Sequence, residues 1–120
     1  MAGILVIDDE ESIRILLKKI LEREGHSVAM APNGKVGLEM QSQQAADVVI
    51  TDIFMPEKEG MEVIMELRRN FPEVKIVAMS GGDRKGNMDF LGMTEKLGAH
   101  KTLKKPFTLN DVLEVVQSVL

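Results

Sequence analysis

The chain alternates two kinds of hydrophobic pattern. Short apolar runs, several of them β-branched, are followed by longer stretches in which apolar residues return every three or four positions. The first run is Ile4-Leu5-Val6-Ile7. It is apolar without a break, as in a strand buried on both faces of a sheet. Ile13, Leu16, Leu17, Ile20 and Leu21 come next at helical spacing, which predicts one apolar face of a helix over 11–24. Gly25 stands where a left-handed C-cap residue is expected. A second strand over 27–30 leads to a Pro32-Asn33-Gly34 turn and a weaker helix over 35–43. The third strand, 48–51, opens into a loop running from Asp52 to Gly60, and a helix over 61–70 follows. The fourth strand, 75–79, ends at Ser80-Gly81-Gly82; the pattern then predicts a helix over 88–97 that stops at Gly98. A fifth strand covers 101–104. The last helix begins at Thr108, where Asp111 three residues on resembles a capping box. Leu109, Val112, Leu113, Val116 and Val119 are its expected buried stripe.

Five strands and five helices in strict alternation predict an α/β fold. Parallel neighbours need crossover connections, and these are right-handed, so helices cover both faces of a doubly wound parallel sheet. No internal repeat, linker or low-complexity stretch divides the chain, and residues 1–120 are expected to form a single domain. In such a sheet, ligands bind beyond the carboxyl ends of the strands, where the strand order reverses.

Composition narrows the function. Fifteen basic against nineteen acidic residues give a net charge of −4, which argues against direct nucleic-acid binding. There is no cysteine, so disulfides, thiol catalysis and Cys-based zinc sites are excluded together. Two isolated histidines, His26 and His100, cannot build a His-rich metal site and read as solvated turn residues. No apolar run approaches the roughly 18 residues of a membrane span. No signal peptide precedes the first strand, so a cytoplasmic location is expected. With neither Trp nor Tyr, ring stacking on bases or sugars has little to work with. Nine methionines, Met55, Met61, Met65 and Met79 among them, read as core filler. Lys101 and Lys104 suit an edge strand, where lysines discourage sheet-to-sheet pairing.

The polar residues at the strand ends carry the chemistry. The first strand ends in Asp8-Asp9, the third in Asp52, the fourth in Ser80, and the fifth in Lys104-Lys105-Pro106-Phe107. Taken singly, each has a plain reading. Asp8-Asp9 could cap the following helix. Asp52 could be a turn residue, Ser80-Gly81-Gly82 a loop, and Lys105-Pro106 a turn. Together they place three carboxylates, a hydroxyl and an ammonium on one rim. Carboxylates about 4 Å apart repel by roughly 4 kcal/mol per pair at an effective dielectric near 20. A hard divalent cation relieves this, and an all-oxygen set favours Mg²⁺, Ca²⁺ or Mn²⁺. Mg²⁺ commonly takes one or two carboxylates, water and a phosphate oxygen.

With these motifs in view, the sequence resembles the receiver domain of bacterial two-component response regulators, the CheY-like, flavodoxin-like fold. Ile4-Leu5-Val6-Ile7-Asp8-Asp9-Glu10 is similar to that family's opening strand. Asp52 with Met55-Pro56 and Gly60 is similar to its phosphoacceptor loop. Ser80 and Lys105-Pro106-Phe107 match the two remaining motifs. The resemblance runs the length of the chain, in order. It implies strand order 2-1-3-4-5 and a signalling domain rather than a metabolic enzyme. Asp52 would take a phosphoryl group from a sensor histidine kinase or phosphotransfer protein, giving an acyl phosphate. Asp9, Asp52 and the backbone carbonyl of Phe54 would bind Mg²⁺, with Mn²⁺ as a substitute, and Asp8 would assist. Lys105, Ser80 and Gly81 would hold phosphoryl oxygens. The Lys105-Pro106 peptide would be cis. A downstream effector or output domain would read the switched surface, and dimerisation on phosphorylation is left open.

Three features depart from the family pattern. Thr102 stands three positions before Lys105, where the family usually has Tyr or Phe, so the usual coupled rotamer change has no ring to work with. The segment between Ser80 and Lys105 holds 24 residues, somewhat more than is common, and a mobile loop is expected over 81–87. Phe54 is bulky and Gly82 bare at positions that influence hydrolysis, which points to a long-lived phosphorylated state.

Other classes fit less well. An aspartyl-phosphate phosphatase commonly has its nucleophile and acid two residues apart after the first strand; Asp8-Asp9 are adjacent, and the chain has no cap domain. A flavodoxin-type cofactor binder needs a Ser/Thr/Gly-rich phosphate loop, where this chain has Asp8-Asp9-Glu10-Glu11. A receiver that has lost phosphorylation and acts by docking alone stays open through Thr102.

Overall fold

The computed structural model describes residues 2–53, 60–81 and 95–120. In chain order the elements are β1 (Gly3–Ile7), α1 (Glu11–Arg23), β2 (Ser27–Ala31), α2 (Gly34–Gln43), β3 (Val48–Asp52), α3 (Gly60–Asn70), β4 (Lys75–Gly81), β5 (Lys101–Lys105) and a C-terminal helix (Leu109–Val119). The strands form one sheet in the order β2-β1-β3-β4-β5, and every pairing is parallel. Four strands run further than the sequence pattern suggests. β2 reaches Ala31, β3 includes Asp52, β4 reaches Gly81 and β5 reaches Lys105. In the last three, backbone pairing with neighbours extends the ladder past the last apolar residue, so Asp52, Ser80 and Lys105 are themselves part of the sheet.

Alternate residues of each inner strand feed two cores, because successive strand side chains point to opposite faces. Ile4, Val6, Val48, Ile50, Val77 and Met79 pack with Leu17 and Leu21 of α1 and with Val112, Val116 and Val119 of the C-terminal helix. Leu5, Ile7, Val49, Ile76 and Ala78 pack on the other face with Val63, Ile64 and Leu67 of α3. Each fully buried aliphatic side chain is worth about 1.5–3 kcal/mol relative to exposure. These two layers hold the sheet, and with it the relative positions of its strand ends.

The helix faces differ in detail from the periodic reading. Leu16 is 44% exposed although it sits in the i+3 series of α1, and Leu109 is 53% exposed although it opens the C-terminal stripe. Residues 95–97 are helical and Gly98 follows with φ 132°; the rest of the helix expected over 88–97 lies outside the described residues. Gly25 also has a positive φ, 93°. Asn33, expected as a turn residue, caps α2 by accepting from the Val36 N–H at 2.9 Å. Thr108 and Asp111 form the reciprocal capping box. Met79 is buried as expected of core filler, whereas Met65 is 48% exposed; Met55 lies outside the described residues.

The histidines are not simply solvated. His26 Nδ1 accepts from the Ala2 N–H at 3.1 Å, and His100 Nδ1 accepts from the Ile76 N–H at 3.1 Å. Each imidazole precedes an edge strand and takes an N–H at the start of the strand beside it. Sequence position could not show this, because the partners are 24 residues away.

Two outcomes follow. Although His100 is exposed, partial desolvation, with the charges of Arg68 and Lys75, holds its imidazole below its usual 6.5. Its contribution to stability is therefore present above about pH 6.5 and is lost as pH falls through the lower folded value. In urea denaturation, His100→Asn, which keeps an acceptor but cannot titrate, is expected to flatten the decline between neutral pH and pH 5. The second outcome concerns Gly60. A Cβ there would collide with the Asp52 carbonyl oxygen and Ile53 Cα, both backbone atoms that cannot yield cheaply. Gly60→Ala is expected to lower unfolding free energy by about 2–3 kcal/mol, measured by denaturant titration.

Candidate functional site

The order β2-β1-β3 reverses the chain's direction of travel between β1 and β3, and their carboxyl ends flank the resulting crevice. Asp8 follows β1 directly, and Asp52 is the last residue of β3. Both are buried, Asp8 completely, whereas Asp9 is exposed. One carboxylate oxygen from each of Asp8, Asp9 and Asp52 can be chosen so that all three lie within 4.8 Å of one another. Three negative charges in that space leave a strong local field.

Lys105, at the end of β5, enters this field. Its Nζ lies 2.8 Å from Asp8 Oδ2 and 3.1 Å from Asp52 Oδ2, and its side chain is only 12% exposed. A third carboxylate, Glu10 Oε1, is 3.5 Å away. Asp8 is engaged on every oxygen. Its Oδ1 accepts from the Glu10 N–H at 2.9 Å, and its carbonyl accepts from Arg14 Nη1 at 2.8 Å. The capping reading of Asp8-Asp9 is corrected by this geometry. The residue at the N-cap of α1 is Glu10, whose side chain makes no cap hydrogen bond. Asp8 instead turns inward, toward Lys105.

The proton affinities reflect burial in a negative field. Burial pushes the Asp8 carboxyl above its usual 3.8, against the pull of its hydrogen bond to Lys105, and the nearby Asp52 charge pushes the same way as burial. Burial alone would lower the Lys105 ammonium. The hydrogen bond to Asp8 and the charges of Asp52 and Asp8 outweigh it, so the ammonium stays protonated beyond its usual 10.5. Asp8, Asp9, Asp52 and, at the edge, Glu10 outnumber the Lys105 ammonium, so the site keeps an excess of negative charge. An all-oxygen donor set of this kind fits a hard divalent cation such as Mg²⁺.

Ser80 is buried, with its backbone in register opposite Lys104; Gly81 is opposite Lys105. Ser80 thus stands one residue beyond Met79, the register partner of Asp52. Thr102 is half-buried, opposite Ala78, and lines a groove of about 880 Å³ with Lys104, Pro106, Glu114 and Val115. The Lys105-Pro106 peptide is cis. Phe54, Gly82 and all but the first residue of the loop expected to be mobile lie outside the described residues. Two participants were not singled out from sequence, Glu10 and Arg14. Glu10 stood in the acidic run after β1, which was a usable signal. Arg14 had none, since its target is a backbone carbonyl.

Comparison with known proteins agrees with the geometry. The family model for the response regulator receiver domain matches residues 4–117. Sporulation initiation phosphotransferase F of Bacillus subtilis is 27% identical over 117 residues, which cover 98% of this chain and 92% of that protein. The alkaline phosphatase synthesis transcriptional regulatory protein PhoP of the same organism is 34% identical, covering 98% of this chain and 48% of its own length. The chain thus spans about half of that longer relative. Chemotaxis protein CheY4 of Vibrio cholerae superposes with a TM-score of 0.89 at 28% identity, covering 100% of this chain and 99% of that one. Sequence, strand order and the convergence of motifs at one rim lead to one assignment: this chain belongs to the response regulator receiver domain family.

Proposed function

We propose that residues 1–120 act as one receiver unit whose Asp52 accepts a phosphoryl group. The observation that carries this is the Lys105 ammonium held between Asp8 and Asp52, which joins the ends of β1, β3 and β5 in one charged site. An Asp52 carboxylate oxygen attacks phosphorus while the bond from phosphorus to the donor's leaving group breaks, and that group departs with the electron pair. The product is an acyl phosphate. Little covalent chemistry is asked of the protein beyond positioning and charge stabilisation. Asp8, Asp9 and Asp52, with the Phe54 carbonyl, would hold Mg²⁺, which supplies positive charge against the phosphoryl oxygens. Lys105 transfers a hydrogen bond from Asp52 to the new phosphoryl group. Ser80 donates its hydroxyl, and the Gly81 N–H lies beside it.

The donor is a phosphohistidine on a sensor kinase or phosphotransfer protein, and the setting is cytoplasmic. The added charge changes what Ser80 and Lys105 bind. It thereby biases a two-state equilibrium of the β4–β5 rim that an effector or output domain reads. Thr102 supplies no ring for that change, so the rim backbone and Lys105 carry it. The chain turns over no separate substrate.

Incubation with Mg²⁺ and acetyl phosphate, followed promptly by intact mass, is expected to show one added phosphoryl group on the parent and none on Asp52→Asn. No gain with Mg²⁺ or Mn²⁺, or an unchanged gain in the variant, would overturn the reading. Lys105→Ala is expected to slow transfer about 10²-fold, as for loss of one charge-stabilising donor, while Asp52 remains the modified residue. Asp8→Asn is expected to raise the Mg²⁺ concentration for half-maximal rate by about tenfold or more, because one full charge leaves the ligand cluster.

A further inference from the structure

Lys105 has three ammonium protons and no acceptor. Three carboxylates surround it, at 2.8 Å (Asp8), 3.1 Å (Asp52) and 3.5 Å (Glu10). Two of these carboxylates already have a part in the reaction described above. Asp8 belongs to the oxygen cluster suited to a cation, and Asp52 becomes the acyl phosphate. Glu10 is outside that cluster. Its side chain does not cap α1, and it is 57% exposed at the rim. Its carboxylate therefore remains beside Lys105 on the solvent-exposed side of the site.

We propose that Glu10 is a positioning and specificity residue for the phosphodonor, resting on the phosphoacceptor reading of Asp52. Its carboxylate offers the Lys105 ammonium a third, more distant partner and repels small dianions, so it slows phosphorylation by free acyl phosphates. A donor carried on a partner protein brings other contacts to offset that repulsion, whereas acetyl phosphate has none. In the affected step, the Asp52 oxygen forms the bond to phosphorus, the phosphorus–oxygen bond to acetate breaks, and acetate leaves with the electron pair. Glu10 touches none of these atoms; it acts through Lys105 and through the field.

The test compares the parent with Glu10→Gln and Glu10→Ala, and with Glu24→Gln as a control at the far end of α1. Initial phosphorylation rates with Mg²⁺ and acetyl phosphate are read by intact mass at low and high ionic strength. Both Glu10 variants are expected to gain about three- to tenfold in rate at low ionic strength, the range of modest electrostatic steering. The gain is expected to vanish near 1 M salt, where the screening length is about 3 Å. The control stays at the parent rate. A tether with a purely structural role would instead lower the rate at all salt concentrations, and that result overturns the proposal, as does no change. In the metal-free protein, the Lys105 ammonium ¹⁵N resonance is expected to move in Glu10→Gln and not in Glu24→Gln; a fixed resonance removes the contact on which the inference stands. A parent chain that takes no phosphoryl group sinks the phosphoacceptor reading itself, whereas a phosphorylated parent with unresponsive Glu10 variants sinks this inference alone.

Discussion

One ammonium among several carboxylates governs this protein. Lys105 meets Asp8 and Asp52 at hydrogen-bond distance in a site that is largely closed to water. Taking such charges out of water costs several kcal/mol per ion, which their attraction returns only when the geometry is good. The site therefore gains little stability. What it gains is a concentrated negative field that suits a hard divalent cation. An excess of formal negative charge remains around the ammonium, and Asp8 and Lys105 both hold their protons more tightly than usual.

That geometry needs a stiff frame, because Lys105 is 97 residues from Asp8 and 53 from Asp52. The two apolar layers supply it. Ile4 and Val6 look to one face and Leu5 and Ile7 to the other, so β1 is fixed on both sides and Asp8 emerges at a set point. β3 is fixed in the same way beneath Asp52. Gly60 lets α3 start directly against the Asp52 backbone, where a larger residue would push the strand end aside. Arg14 ties α1 to the Asp8 carbonyl. Each of these contacts limits where a carboxylate can be.

The family assignment and the site support each other without repeating each other. The receiver match covers residues 4–117 and would hold whatever the rim did. The rim adds which atoms meet. Thr102 pairs opposite Ala78 and lines a groove on the same edge strand that carries Lys105.

Much of the fold was legible in the sequence, because hydrophobic period is a local property. Unbroken runs such as Ile4 to Ile7 report burial on both faces, and the spacing of Leu17 and Leu21 reports a helix. The capping box at Thr108 needed only residues three apart. The candidate site residues were legible for a related reason. They stand at or just past the carboxyl ends of the strands, and parallel strands end on one rim. Tertiary structure alone decided the rest. It set which rim oxygens Lys105 reaches, that Asp8 turns inward rather than capping α1, and that Leu16 and Leu109 fall off the covered strip. It turned His26 and His100 from solvated turn residues into acceptors for strands 24 residues away. Periodicity tells which side of an element is apolar, but not how far the neighbouring layer extends or what a polar atom meets across the sheet. Those depend on distances between segments remote in the chain, which only packing fixes.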